Sequence, residues 1–216
     1  MTRAKPRALD LFCGAGGATR GLQLAGFHVT GVDNRLQPRY CGDEFIQGDA
    51  LEVRLDGYDF IWASPPCQAY TVARNIQKRE HPKLIDPIRG RLTCHSAPYI
   101  IENVPGAPLI RPFILCGTMF HLRAEVQGKL YELRRHRLFE ASFPLLVGGC
   151  NHSLPVIGIY GHGESKPMRN KRGFQISQVA HRREVMQMPW ANRDEIAQAI
   201  PPAYSEFIGR QFLQLA

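Results

Sequence analysis

The sequence predicts an α/β fold, a mostly parallel sheet with helices on both faces. Short apolar runs at 8–12, 28–32, 59–63 and 98–102 alternate with stretches of helical spacing at 17–25, around 86–95, 178–188, 192–199 and 203–214. The residues with chemical potential, Asp33, Cys67 and Glu102, fall at the ends of predicted strands. Ligands gather beyond the carboxyl ends of the strands in such sheets, so residues far apart in sequence can share one site.

The first unit is read from Ala8 to Asp33. The apolar run Ala8 to Phe12 suits a buried strand. Gly14, Gly16 and Gly17 then permit a tight turn and close approach of the backbone to a ligand. Residues 18–25 place Leu22 and Ala25 on one helical face, and Gly26 stops the helix. His28 to Val32 forms a second strand that ends at Asp33. Strand, Gly-rich loop, helix, strand and acid make the first unit of a nucleotide-cofactor fold, with the acid placed to bind ribose hydroxyls. No G-x-x-x-x-G-K-[ST] occurs, which excludes a Walker-type nucleotide triphosphatase. The loop F-C-G-A-G-G also lacks the G-x-G-x-x-G dinucleotide spacing. It points to an adenosyl cofactor without a pyrophosphate, and S-adenosyl-L-methionine is the candidate.

The third run, FIWAS, leads into Pro65-Pro66-Cys67-Gln68. The two prolines fix φ at successive residues, and Pro66 restricts Pro65, so Cys67 stands on a stiff ledge. A free thiol with a pKa of about 8.5 is only slightly ionised at neutral pH. A ledge near backbone N–H groups and basic residues is expected to raise the thiolate fraction. Taken alone, the same turn suits a buried core cysteine. Glu102 follows the fourth run, in IENVPG. Between Gln68 and Leu84 the chain is polar and cationic, which suits a mobile closing loop or a solvated one.

Composition bounds these readings. A chain of 216 residues, 44% hydrophobic, is one domain able to bury a core. A net charge of +8 and a pI near 9.4 favour a polyanionic partner. The cysteines at 13, 41, 67, 94, 116 and 150 include no C-x-x-C pair and read as reduced thiols. Cys150-Asn151-His152 offers two metal ligands without a partner pair at zinc spacing, so no metal is expected. No apolar leader follows Met1 and no run approaches a membrane span, so a cytoplasmic protein without membrane attachment is expected.

Together the motifs resemble the cytosine-C5 DNA methyltransferases, over most of the chain and in the family's order. DLFCGAGGATRGLQLAGF is similar to their first motif, with Phe12, Gly14, Gly16, Gly17, Gly21, Gly26 and Phe27 in place. Val32-Asp33-Asn34 sits where the family has its ribose-binding acid, and Gly48-Asp49 resembles the motif whose Asp contacts the adenine amino group. Pro65-Pro66-Cys67-Gln68 is similar to the nucleophile motif and Glu102-Asn103-Val104 to the ENV motif. Arg135-His136-Arg137 resembles the Arg-x-Arg motif, although Leu133 stands where Gln is usual. Ala199 to Ala203 resembles the closing motif, with Gln198 in place of Asn.

The resemblance implies a Rossmann-like S-adenosylmethionine-dependent methyltransferase fold. It assigns the cofactor to Phe12, Cys13, Gly14, Ala15, Gly16, Gly17, Asp33, Asn34, Asp49, Ala50 and Pro65. Substrate falls to Pro66, Gln68, Arg74, Asn103 and Val104, and catalysis to Cys67, Glu102, Arg135 and Arg137. Cytosine C5 is a poor nucleophile until a thiolate adds at C6 and makes it enamine-like. Cys67 is the expected nucleophile. Glu102, its proton affinity raised by desolvation, serves N3, and Arg137 with Arg135 serves O2. The target base must leave the duplex stack. Arg74, Lys78, Arg79, Arg89, Arg91, Lys166, Arg169, Lys171 and Arg172 are candidate phosphate contacts.

The span between Phe139 and Ile176 is short for a recognition domain. The expected organisation is one catalytic domain over 1–216, with 140–176 as a minimal target-recognition segment in which Val156 to Tyr160 forms a strand. The expected enzyme is a monomer acting on double-stranded DNA, with a partner protein as another source of target recognition. Its reduced size suits a phage or another mobile element, with restriction–modification as a setting. Alternatives are the same chemistry on RNA, transfer of a modified group, and a non-catalytic DNA-binding relative. Intact Cys67 and Glu102 argue against the last.

Overall fold

The computed structural model describes residues 4–71, 81–159 and 178–215. In chain order the elements are β1 (Arg7–Leu11), α1 (Gly17–Ala25), β2 (His28–Asp33), β3 (Glu44–Gln47), β4 (Phe60–Ala63), α2 (Ile85–Thr93) and β5 (Tyr99–Asn103). There follow β6 (Phe113–Leu115), a 3₁₀ turn (Gly117–Phe120), β7 (Arg123–Val126), β8 (Lys129–Glu132), β9 (Arg137–Ala141), α3 (Val179–Met186), α4 (Arg193–Gln198) and α5 (Pro202–Leu215). The main sheet runs β3-β2-β1-β4-β5-β9-β6, and β7 and β8 form a separate hairpin. The first five strands of that order are parallel, while β9 is antiparallel to both β5 and β6. The mostly parallel α/β fold read from the sequence is therefore present.

Strand alternation divides the core. Ala8, Val29, Phe60, Trp62 and Ile100 point to one face, with Leu22 of α1 and Tyr204, Ile208 and Phe212 of α5. Leu9, Leu11, Val32, Ile61, Ala63 and Ile101 point to the other, where Ile88 and Leu92 of α2 cover them. Each fully buried apolar side chain of this size stabilises by about 1.5–3 kcal/mol. No helix among the described residues is long and apolar enough to cross a membrane.

Two expectations are corrected here. Arg89 and Arg91 do not face solvent as phosphate contacts. Arg89 donates to both carboxylate oxygens of buried Glu140 at 2.9 Å, to the Pro108 carbonyl at 2.8 Å, and to Asp86. Arg91 donates to the carbonyls of Ala50 and Val53 at 2.6 Å each. Both guanidiniums fix α2, since carbonyls and carboxylates left unpaired there would be costly. The strand expected at Val156 to Tyr160 is, over its described part, reduced to the bridge residues Val156 and Ile157, with Val156 paired to Glu132. Pro155 lacks an N–H, so the ladder cannot grow in that direction. Tyr160 lies outside the described residues, as do Arg74, Lys78, Arg79, Lys166, Arg169, Lys171 and Arg172.

Helices α1 and α5 approach closely over Gly21. Ser205 donates its hydroxyl to the Ala18 carbonyl at 2.8 Å across this contact. A Cβ at Gly21 would lie 2.0 Å from the Pro202 carbonyl oxygen and 2.1 Å from Ser205 Oγ. Gly21→Ala is expected to destabilise the fold by about 1–3 kcal/mol through overpacking, read from the urea unfolding midpoint. An unchanged midpoint would show that the helices separate without penalty.

Candidate active site

The loop after β1 is held by backbone bonds from Cys13 N to the Val32 carbonyl, 3.0 Å, and from Gly16 N to the Cys13 carbonyl, 2.9 Å. Phe12, Gly14 and Gly16 take positive φ values of 63°, 51° and 90°. Phe12 is a non-glycine residue in the left-handed region, a strain that persists only where its surroundings enforce it. A Cβ on Gly16 would lie 2.7 Å from Cys41 Sγ, whereas one on Gly14 would meet nothing within 4 Å. The Gly14 side of the loop is thus open.

The acids at the ends of β2 and β3 frame this opening. Asp33 accepts the Gly14 N–H at 3.1 Å and the Arg35 N–H at 3.0 Å, one on each carboxylate oxygen. Asp49 accepts the Leu51 N–H at 2.8 Å. A carboxylate offers about four lone-pair sites, so both acids keep acceptor capacity for hydroxyl or amino donors. Asn34 is exposed beside Asp33, and within the loop Cys13 and Ala15 are both buried. Open backbone and acidic acceptors at adjacent strand ends fit an adenosyl group. Beneath the loop lies Asp10, which the sequence reading missed; its signal was an acid inside an otherwise apolar strand. Its Oδ2 accepts from the Thr19 hydroxyl at 2.5 Å, and its Oδ1 is buried without a hydrogen-bond partner. Burial above all pushes its pKa up to about 7, with Asp33 and Glu102 adding to the effect against the Thr19 hydrogen bond.

A second cluster occupies the ends of β4, β5 and β9. The buried Asn103 amide donates to the Pro65 carbonyl at 2.9 Å and accepts the Val104 N–H at 3.0 Å, pinning the Pro-Pro turn to β5. The Cys67 carbonyl accepts from Tyr70 N and Thr71 N at 2.9 and 3.2 Å, which turns the chain just after the thiol. Pro66 and Gln68 flank it, with Gln68 exposed. Trp62 Nε1 donates to Ser64 Oγ at 2.9 Å, which leaves the Ser64 hydroxyl proton for Glu102. Glu102 is only 7% exposed, and Arg137 Nε stands 3.2 Å from its Oε1. Burial raises the Glu102 pKa, while Arg137, Ser64 and Arg135 oppose that rise.

The thiol departs from expectation. Burial pushes the Cys67 pKa up, the Glu102 carboxylate raises it further, and Arg137 and Arg135 only partly offset this. The thiol is half-buried and faces an acid, so the ledge does not by itself enrich the thiolate. Arg135 is turned away from solvent and spans three carbonyls, those of Ala199 at 2.9 Å, Ala197 at 2.6 Å and Ile159 at 3.2 Å. Its own carbonyl accepts from Tyr204 at 2.6 Å. Arg135 therefore ties the end of α4 to the strand that carries Arg137. Leu133, in place of the usual Gln, is buried in the core. A third cluster, Cys116, His136, Cys150 and His152, lies outside these two. Spacing concealed it, because Cys150 and His152 find their partners on separate strand ends.

The sheet, the open loop and the acids define a Rossmann-like methyltransferase fold that uses S-adenosylmethionine as methyl donor. Residues 7–107 match the family described as C-5 cytosine-specific DNA methylase, which bears out the resemblance read from the motifs. The match includes Cys67 and Glu102 and ends before Arg135 and Arg137. No curated protein sequence matches the chain. Among solved structures, the S. pombe Dnmt2 methyltransferase is similar at a TM-score of 0.61 and 13% identity, covering 98% of this chain and 99% of that one. A protein described as a DNA modification methyltransferase of an E. coli prophage reaches 0.56 at 13% identity, over 97% and 99% of the two chains. The Entamoeba histolytica methyltransferase EhMeth reaches 0.57 at 9% identity, over 99% and 100%. At such identities these likenesses concern the fold.

Glu102→Gln removes the charge that raises the Cys67 pKa, so the thiol should ionise at lower pH. Iodoacetamide labelling of Cys67 across a pH series, read by peptide mass spectrometry, should show a lowered midpoint in the variant. An unchanged or higher midpoint would mean that the two groups are not electrostatically coupled.

Proposed function

We propose that the protein is a DNA cytosine-C5 methyltransferase that works through a covalent Cys67 adduct. The observation that carries this reading is the buried Glu102 with Arg137 Nε at 3.2 Å, electrostatically coupled to Cys67 on the adjoining strand end. The Cys67 sulfur adds to C6 of the cytosine, and the displaced ring electrons are relieved at N3. Glu102, its proton affinity raised by burial, favours the Cys67 thiolate while it is neutral, and becomes the carboxylate when it passes its proton to N3. Arg137 donates to the developing charge at O2. Bound S-adenosylmethionine supplies the electrophilic methyl that C5 takes up. Loss of the C5 proton to water, departure of the Cys67 sulfur and return of the N3 proton to Glu102 restore the ring.

Other residues act by holding these. Arg135 and Asn103 are positioning residues, since their side chains bond backbone carbonyls of neighbouring segments. Asp33 serves the ribose hydroxyls and Asp49 the adenine amino group, with Phe12 to Gly17, Asn34, Ala50 and Pro65 around them. Pro66, Gln68, Val104 and Arg74 serve the base and its strand. Cytosine must swing out of the duplex, which costs about a few kcal/mol. The +8 charge supports a DNA partner bound through its phosphates. The protein acts as a monomer. Segment 140–176 serves as a minimal recognition element that reads a short or degenerate target, because each well-read base pair needs its own positioned side chains.

The test is incubation with labelled S-adenosylmethionine and either duplex DNA or folded RNA, followed by mass spectrometry of the modified base. The expected result is 5-methylcytosine in DNA, and a covalent complex with duplex containing 5-fluorocytosine that Cys67→Ser abolishes. Methylation of RNA alone would move the substrate to that class. Active enzyme without an adduct would overturn the covalent step. Base-resolution mapping should show a short target, and a long strict site obtained with no partner present would contradict the recognition reading.

A further inference from the structure

Four side chains converge away from the catalytic cluster. Cys116 follows β6 and leads into the 3₁₀ turn. His136 lies between Arg135 and Arg137, just before β9. Cys150 and His152 belong to the stretch after β9. One ligand atom from each lies within 4.8 Å of all the others. Cys116 Sγ is 3.4 Å from His152 Nε2, and Cys150 Sγ is 3.6 Å from His136 Nε2. A tetrahedral zinc ion has Zn–S of about 2.3 Å and Zn–N of about 2.0–2.1 Å, which sets sulfur and nitrogen about 3.6 Å apart. We propose that Cys116, His136, Cys150 and His152 form a structural zinc site.

The donor set selects the metal. Two thiolates and two imidazoles in a compact tetrahedral array suit zinc, whereas magnesium and calcium require oxygen ligands. Two thiolates also balance the charge of the ion. Protein groups fill all four positions, which marks a closed structural site with no place for a reacting water. An outer partner is present: Thr118 Oγ1 stands 3.2 Å from Cys116 Sγ, placed to donate to a thiolate. A disulfide between Cys116 and Cys150, both free thiols here, would leave the approach of the two imidazoles unexplained.

The surrounding fold gives the metal a task. Residues 142–155 contain no helix or strand; Phe143, Leu145 and Val147 pack on the core, but from Gly148 to Ser153 every residue is exposed. Glu132 accepts the N–H groups of Ser153 and Leu154 at 3.3 and 3.1 Å, and Arg134 donates to the Leu154 carbonyl at 2.8 Å. These bonds hold the chain immediately after His152 and bring the two ligands of that stretch into range. Zinc would fasten the stretch to the end of β6 and to the backbone between Arg135 and Arg137. Binding energy at such a site is folding energy. The metal thus replaces apolar packing that the exposed residues 148–153 lack.

The test uses the full-length protein purified under reducing conditions without chelator. Elemental analysis should find about one zinc per chain, as a closed site of this type requires. Cobalt(II) substitution should give the visible absorption bands of a tetrahedral thiolate site, and X-ray absorption should show two sulfur and two nitrogen neighbours. Cys150→Ser and His152→Ala, both at exposed positions, should lose the metal, while the exposed Cys94→Ser keeps it. Chelation should open residues 142–155 to protease. The proposal is overturned if the reduced protein neither carries zinc nor takes it up from zinc chloride, or if both variants retain it. A Cys116–Cys150 disulfide in the reduced preparation would overturn it equally. Should the variants fail to fold, the cobalt and X-ray absorption spectra of the unaltered protein decide the question.

Discussion

The site depends on one buried ion pair, Glu102 with Arg137. A carboxylate taken out of water is tolerable only if charge and hydrogen bonds compensate it, and removing one partner of such a pair typically costs about 3–5 kcal/mol. Here Arg137 supplies the charge, and the Trp62–Ser64 relay supplies a hydrogen bond. The compensation is incomplete, so Glu102 holds a proton more tightly than a solvated acid. The same balance controls Cys67, whose pKa rises with burial and with the charge on Glu102. The Glu102 carboxyl and the Cys67 thiol are therefore linked through one electrostatic contact.

The rest of the fold keeps that contact in register. Parallel strands β4 and β5 place Cys67 and Glu102 at neighbouring ends, and β9, antiparallel to β5, brings Arg137 back toward them. Asn103 bonds the Pro65 carbonyl and so ties the Pro-Pro-Cys turn to the strand of Glu102. Arg135, immobilised on three carbonyls, anchors the segment from which Arg137 extends. At the ends of β1 and β2, Asp33 reaches across to Gly14 and fixes the open loop to β2. The close packing of α1 on α5 over Gly21 supports that loop from below.

Strands β1, β2, β4 and β5 were legible because they are central or near-central strands of a parallel sheet, buried on both faces, and so read as continuous apolar runs. The five helices among the described residues were legible from their spacing, the first also from its stop at Gly26. Strand β3 was not, since as an edge strand it is mostly exposed and its residues, EFIQ, carry no clear pattern. Short β6 and β9 escaped because their partners lie far away in sequence, and the β7–β8 hairpin because half or more of its residues are exposed or only partly buried. The site acids and Cys67 were visible as motifs, but their environments were not. Whether a thiol is activated depends on burial and on which charge faces it, and the sequence does not list neighbours. Arg89 and Arg91 show the same limit: they read as surface charge until Glu140 and the carbonyls of Ala50 and Val53 are seen beside them.

The claim that burial raises the proton affinity of Glu102 against the opposing charge of Arg137 is tested most directly by carbon-13 NMR titration of its side-chain carboxyl. The account predicts a midpoint above the ordinary glutamate value of about 4.3, and a further rise in Arg137→Leu, where the opposing cation is gone. A midpoint at or below the ordinary value, or one that falls in Arg137→Leu, would contradict it.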